Sequence, residues 1–409
     1  MTHRIFICIF LFSLLSTVVT AQSIEELTTE ALENNPGVKA SYARFEAEMQ
    51  TIAQASALPD PTFSFGYFIS PVETRVGPQR MKFSLAQMFP WFGTLQAKSD
   101  VRTHLAEAAY QEFLDQQHLL ELTVRITYYD LWEIHERIDL LEDNLVLLKS
   151  RKELALSGFS VGRNSMADVI RTDIMIEQSE TAIRLLQDKI APLEFQMNAA
   201  LNRSQQDSIR IIDRFDSSSL DLPQVADSGL FNNGNLQAVR SRIKAAEAAE
   251  VLATRQGRPS FGLGLDYVLV DDRPIQGLDD NGKDVIMPMV SMSLPIFRKK
   301  YKAQTQEAVL RKEAMEFSEQ NMVNELESKL ELKKYAVESS VENIELYTEQ
   351  VTNAKQVRDL LISDYSNSGA GYDEVLAIED QLLDYQKKTI KVIRDGLIAR
   401  AEFLYIIAQ

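Results

Sequence analysis

Few residues in this sequence are of a type and spacing that could do chemistry. Beyond the N-terminal leader the histidines are His104, His118 and His135, all on one predicted helix. His104 and His118 share a face but stand about 21 Å apart by helix rise, too far to hold one metal within a chain. Met287, Met289 and Met292 have the look of a soft-metal cluster. On a strand, however, Met287 and Met289 are opposite in phase to Met292, which is the pattern of strand packing. Gly262-Leu263-Gly264 opens no helix and so is no phosphate loop. No nucleophile–base constellation and no cofactor fingerprint is present, so no enzyme activity, cofactor or resident metal is expected. What remains is a set of carboxylates, Asp168, Asp364, Asp373 and Glu374, beside two breaks between long predicted helices. Rings of carboxylates favour cations and bind divalent ions. Acidic residues also cap helices, where the helix dipole favours them. The two roles are compatible, and Asp168 and Glu374 occupy matched places.

Composition narrows the setting. Residues 1–21 read as a signal peptide: Arg4, an apolar run from Ile5 to Val19, then the small-x-small site Val19-Thr20-Ala21. The single cysteine, Cys8, lies inside it, so neither a disulfide nor a thiolate site is expected afterwards. The formal net charge is −16, which argues against nucleic acid as a partner. No later segment holds eighteen consecutive apolar residues, so a membrane crossing would need β-strands in a closed barrel.

The elements that must position the acids are long helices and short hairpins. Ser23 with Glu26 forms a capping box for a helix interrupted at Asn34-Asn35-Pro36-Gly37. Strands are expected at 62–70 and 81–89, where Phe63, Phe65, Tyr67 and Ile69 alternate with Thr62, Ser64 and Gly66. This pattern suits a lipid-facing barrel strand or a half-buried soluble one. Thr94 to Ser157 lacks glycine and proline and predicts one helix spanning about 90–95 Å. After the break at Gly158–Ser165 a return helix runs from Met166 to Asn202, with a kink or restart expected at Pro192. A polar linker follows, 204–232. The plan then repeats: strands at 260–270 and 285–294, with a bulge expected at Pro288, a helix from Lys302 to Ile362, a break, and a return helix from Tyr372 to Ala408.

The duplication covers nearly the whole chain. Pro61, Phe63 and Gly66 match Pro259, Phe261 and Gly264, and Pro90 and Phe92 match Pro295 and Phe297. At the breaks Phe159, Asp168 and Val169 match Tyr365, Glu374 and Val375 at one offset. The expected repeats are 22–203 and 233–409, each a helix, a β-hairpin and a long helical hairpin. Four strands cannot close a transmembrane barrel, whose smallest form has about eight, so several chains must combine.

With these residues the chain resembles the TolC family of outer-membrane efflux proteins, over about residues 24 to 408. The resemblance rests on the Pro-x-Phe strand openings at Pro61 and Pro259. It rests also on the exits Gln87-Met88-Phe89-Pro90-Trp91-Phe92-Gly93 and Ser293-Leu294-Pro295-Ile296-Phe297, and on the breaks with Phe159, Gly162, Tyr365 and Gly369. The strand exits look most like the heavy-metal efflux branch, the CusC- and CzcC-like proteins. The resemblance implies a mainly α protein with a β-barrel part. In it a homotrimer builds a twelve-stranded outer-membrane barrel and a periplasmic α-helical tunnel. It further implies docking of a periplasmic adaptor (membrane fusion) protein at Phe159, Gly162, Tyr365 and Gly369, an inner-membrane pump of RND or ABC type, contact with outer-membrane lipid, and passive export of toxic compounds or metal ions. The acids would then form the gate of the periplasmic tip. This chain departs from the pattern at Gly158 and Asp364, where a basic residue often precedes the aromatic, and at Gly369, displaced by one. A soluble secreted coiled-coil protein with a structural or adhesive role is the alternative, and a periplasmic hydrolase a more distant one.

Overall fold

The computed structural model describes residues 23–162, 165–223, 232–366 and 371–408. The signal peptide and Gly369 lie outside them, as does part of the expected linker. Seven α-helices and four strands follow the order α1 (Ile24–Asn34), α2 (Pro36–Ser56), β1 (Thr62–Thr74), β2 (Gly77–Phe89), α3 (Thr94–Ser160), α4 (Met166–Leu201), α5 (Gly234–Gln256), β3 (Ser260–Val270), β4 (Val285–Ser293), α6 (Arg298–Ser366) and α7 (Tyr372–Ile406). The molecule divides into two compact units that cut across the duplication. Each takes pieces of both repeats.

One unit holds the sheet and the helices nearest it, from Pro36–Leu119, Pro223–Lys334 and Glu402–Gln409. The two hairpins join into one antiparallel sheet of order β1-β2-β3-β4, the second strand of the first hairpin pairing with the first strand of the second. β1 and β2 are longer than their alternation predicts and meet at a two-residue turn, Arg75-Val76, with Thr74 opposite Gly77. Pro71 lies within β1, an edge strand, where proline is tolerated, and the register shifts between Tyr67 and Val72. No bulge occurs at Pro288. On β4, the other edge strand, it pairs in register with Leu265 of β3. α2 and α3 interlock through rings, Tyr42 on Phe113 at 5.3 Å and Phe45 on Tyr110 at 5.2 Å. Arg240 on α5 pairs with Glu319 on α6 at 2.7 Å.

The other unit is helical and comprises residues up to Asn35, Leu120–Leu222 and Tyr335–Ala401. Ser23 and Glu26 form the expected capping box on α1. Ile134, Ile138 and Leu141 of α3 bury against Ile183 and Leu186 of α4 and Leu383 of α7. Each such side chain stabilises the packing by roughly 1.5–3 kcal/mol. α4 does not break at Pro192. The proline and Asp188, whose carbonyl it leaves without a donor, are both exposed, so water can take that carbonyl. The segment after α4, polar in sequence, is a packed strap up to Leu222. Phe215 meets Tyr129 and Trp132 edge-on at 5.3 and 5.5 Å, and Leu220 is fully buried beside Gly396. Tyr128 donates to Asp213 at 2.7 Å, and Ile24 N–H donates to the same carboxylate at 3.1 Å. Burial and that carboxylate push the Tyr128 hydroxyl far up, so it stays protonated.

Candidate functional site

Two regions carry features that packing alone does not explain, one in each unit. The first is the sheet. The register puts Phe63, Phe65 and Tyr67 of β1 opposite Leu85, Phe83 and Met81 of β2. It then sets Leu85, Phe83 and Met81 opposite Leu265, Tyr267 and Leu269 of β3, and Leu265 and Tyr267 opposite Pro288 and Ile286 of β4. Alternation at period two makes these one apolar face across all four strands. The face is open to its surroundings: Phe63 is 66% exposed, Ile69 92% and Val290 79%. A contiguous exposed apolar patch of this kind marks an interaction surface, with protein or with lipid. Pro61, Pro90 and Pro259 stand immediately outside the strands, and Pro295 two residues past β4. The opposite face carries small and polar residues, Ser64, Gly66, Ser84, Gly262 and Gly264. On it Asp266, fully buried, pairs with Lys82. A Cβ at Gly262 would fall 2.3 Å from Ser291 Oγ, so a larger residue there would displace that hydroxyl and the Met88 side chain. Met287 and Met289 lie on this face and Met292 on the apolar one, so the three do not converge. Among the described residues no cluster could hold a metal ion, and no helix is long and apolar enough to cross a membrane.

The second region is where the helix breaks meet. Tyr372, at the start of α7, is buried with Ala155 of α3, Val169 of α4 and Leu376, and Tyr365 packs on it with rings 5.7 Å apart. The Tyr372 hydroxyl donates to the Arg151 carbonyl at 3.1 Å and lies 3.2 Å from Thr172 Oγ1. The two breaks, about 200 residues apart in sequence, are thus locked together. Asp168 sits in a capping box, accepting from Ser165 N–H at 2.9 Å and Ser165 Oγ at 2.8 Å. Asp364, Asp373 and Glu374 are exposed. Asp373 lines a groove with Arg171, Ile174 and Leu376. Phe159 is exposed, and Gly162, at φ 74°, completes the turn out of α3 by donating to the Phe159 carbonyl at 3.0 Å.

A buried ion pair here carries no obvious mark in the sequence. Glu379 of α7, only 2% exposed, accepts through one oxygen from Arg151 Nε and Nη2 at 3.1 and 3.0 Å. Burial raises its carboxyl above the usual glutamate range, and Arg151 opposes the rise. One signal was available. Glu379 stands opposite Asp173 at the offset that relates Asp168 to Glu374. Asp173, however, pairs with Lys152 within its own hairpin at 2.5 Å, whereas Glu379 reaches the other repeat.

No family model matches the sequence, and no curated protein matches it. Solved structures do match the fold. The outer membrane protein VceC from Vibrio cholerae is similar at 16% identity over 94% of this chain and 95% of that one, with a TM-score of 0.77. A structure of CusC, described in terms of folding and transmembrane channel formation, is similar at 14% identity over 95% and 92%, with a TM-score of 0.80. The open state of the Neisseria gonorrhoeae MtrE outer membrane channel is similar at 17% identity over 94% and 88%, with a TM-score of 0.76. The chain has the fold of these outer-membrane channel proteins along nearly its whole length.

Proposed function

We propose that the protein is a TolC-family outer-membrane channel, the passive exit duct of a tripartite efflux system. The observation that carries this reading is the sheet. It is four strands wide, has two unpaired edges in the single chain, and presents one continuous exposed face of aromatic and aliphatic side chains. In water such a face is an aggregation hazard. In a bilayer it is the lipid-facing wall, provided the edges are satisfied by further chains. Three chains supply twelve strands, an even number in the range of such barrels. The likeness to VceC, CusC and MtrE supports the same reading and weighs against a soluble secreted coiled coil.

Within that reading the helix breaks form the periplasmic tip. Phe159, Gly162, Tyr365 and Gly369 are offered to an adaptor protein, and Asp168, Asp364, Asp373 and Glu374 line the closed end. The driving energy belongs to a partner pump of the inner membrane. The resemblance of the strand exits to the heavy-metal branch carries the narrower proposal that metal ions are among the cargo. Deleting the gene would then sensitise cells to metal salts more than to detergents or dyes. The decisive experiment is fractionation followed by the mass of the protein in mild detergent. Three chains from the outer membrane support the channel, and a soluble periplasmic monomer overturns it.

A further inference from the structure

At the end of the sheet where the chain leaves for α3 and α6, a cavity of about 380 Å³ opens, lined wholly by the unit that holds the sheet. Its strand residues, Met88, Ser260 and Ser293, all lie on the polar face, Met88 opposite Gly262 and Ser260 opposite Ser293. Trp91 lines it too and stacks on Phe261 of the apolar face at 6.0 Å, so that ring lies between the cavity and the apolar side. Lys98, Arg255 and Arg258 complete the charged part of the lining, and no acidic side chain joins them. In a chain of net charge −16 such a concentration of cations is out of character. The Arg255 guanidinium lies over Gly93 and donates weakly to the Phe92 carbonyl at 3.4 Å. Gly93 has φ 75°, and a Cβ there would fall 1.6 Å from Arg255 Nη1, so the glycine makes room for the guanidinium. Thr94, the first residue of α3, also lines the cavity. It is only 4% exposed, and its Oγ1 has no hydrogen-bond partner among the described residues. A buried hydroxyl is rarely left so unless something outside the chain pairs with it.

We infer that this cavity binds small organic anions, each an anionic group on an apolar body, as they pass along the duct. The inference rests on the channel reading, on which the polar face of the sheet lines the lumen. Arginine pairs with a carboxylate or phosphate through two parallel N–H groups. The N-terminus of α3 opens on the same space, and its dipole favours negative charge. Thr94 Oγ1 is a free donor beside it. Trp91, Tyr301 and Met88 give the body of the solute an apolar wall, and the volume is that of a small-ligand pocket. Rings of lysine and arginine select anions in pores, and in the proposed trimer the cavity recurs in each chain around the duct. Organic acids thereby join metal ions in the proposed cargo.

The test uses the full protein purified in mild detergent and dialysed to equilibrium against 2-naphthoate, with empty micelles as the blank. The wild type is expected to bind 2-naphthoate roughly tenfold or more tightly than 2-naphthylmethylammonium, which has the same ring and the opposite charge. Arg255→Gln/Arg258→Gln should weaken that binding roughly tenfold. Should the double variant not assemble, Arg258→Gln alone carries the test, since that side chain is exposed. Thr94→Val should weaken binding severalfold without lowering the melting temperature, because in the free protein the hydroxyl has no partner to lose. In planar bilayers Arg258→Gln should move the reversal potential in a KCl gradient toward cation selectivity. Equal binding of the two naphthyl probes overturns the inference, as does unchanged binding in the variants. Inorganic phosphate bound as tightly as 2-naphthoate would leave the apolar wall without a role and overturn it too. An unchanged reversal potential would mean that the cavity does not face the duct, with the same result. An assembled outer-membrane trimer that fails these tests refutes only the site, whereas a soluble periplasmic monomer refutes the channel reading itself.

Discussion

Phe83 of β2 and Tyr267 of β3 face each other across the seam where the first hairpin joins the second, with Phe65 on the far side of Phe83 at 5.3 Å between ring centroids. The row continues one apolar surface from one repeat into the other. Placing a charge in it tests what that surface touches. Arg at the midplane of a lipid-facing strand costs about 2–4 kcal/mol. Phe83→Arg is therefore expected to deplete the assembled form from the outer membrane. Ala86→Gln, on the opposite face, should assemble normally. Wild-type amounts of the Phe83→Arg oligomer in mild detergent would mean that the face does not meet lipid.

The buried pair Arg151–Glu379 has a signed dependence on pH. Burial holds the Glu379 carboxyl above its ordinary value of 4.5. A pKa raised by folding contributes stability that is present below the unfolded value and lost as pH rises through the folded one. Relative to Glu379→Gln, the wild type should thus lose melting temperature as pH climbs above 4.5. Arg151→Leu removes the opposing charge, which should steepen the loss and cost about 3–5 kcal/mol at neutral pH. Parallel pH profiles for all three proteins would show that the pair is not coupled to folding.

Asp168 is engaged by Ser165, and so its capping and gating roles can be separated. Ser165→Ala keeps the carboxylate but weakens the cap by about 1 kcal/mol. Asp168→Asn/Glu374→Gln removes the charges. If the acids hold the tip closed, only the charge variant should raise single-channel conductance and antibiotic sensitivity. Equal leakage from Ser165→Ala would assign the effect to the cap, and no leakage from either would sink the gate.

The strap between the repeats should behave as core. Leu220, fully buried, is expected to cost about 2–5 kcal/mol as Leu220→Ala and to expose residues 204–222 to protease. Ser218→Ala, at an exposed position, should do neither. Limited proteolysis at fixed temperature reads both, and equal cleavage of the two variants would show a strap that contributes nothing.

These features differ in how far they could be seen in the sequence. The alternation of Phe63, Phe65 and Tyr67 and the long run free of glycine and proline announce strands and helices directly, since both signals are local. That the hairpins share one sheet is not local: the pairing of Phe83 with Tyr267 depends on register across nearly the whole first repeat. Pro288 misleads because the cost of a strand proline depends on whether its ladder position lies at an edge, which the chain alone does not say. The strap was hidden because Phe215 and Leu220 sit among serines and aspartates, and single apolar residues make no period. Glu379 and Arg151 were ordinary members of charged helices until folding buried them together.

The unpaired outer edges of β1 and β4 have a genetic consequence. In the proposed trimer the chain that satisfies the β4 edge offers its β1, so each subunit would complete its neighbour and be completed in turn. A chain that folds its helices but spoils one edge would still enter the ring and block its closure. In a ring of three with equal expression, roughly one assembly in eight would be free of the altered chain. Lesions along these two strands should therefore be dominant over the normal gene, while lesions that stop the chain from folding at all should be recessive.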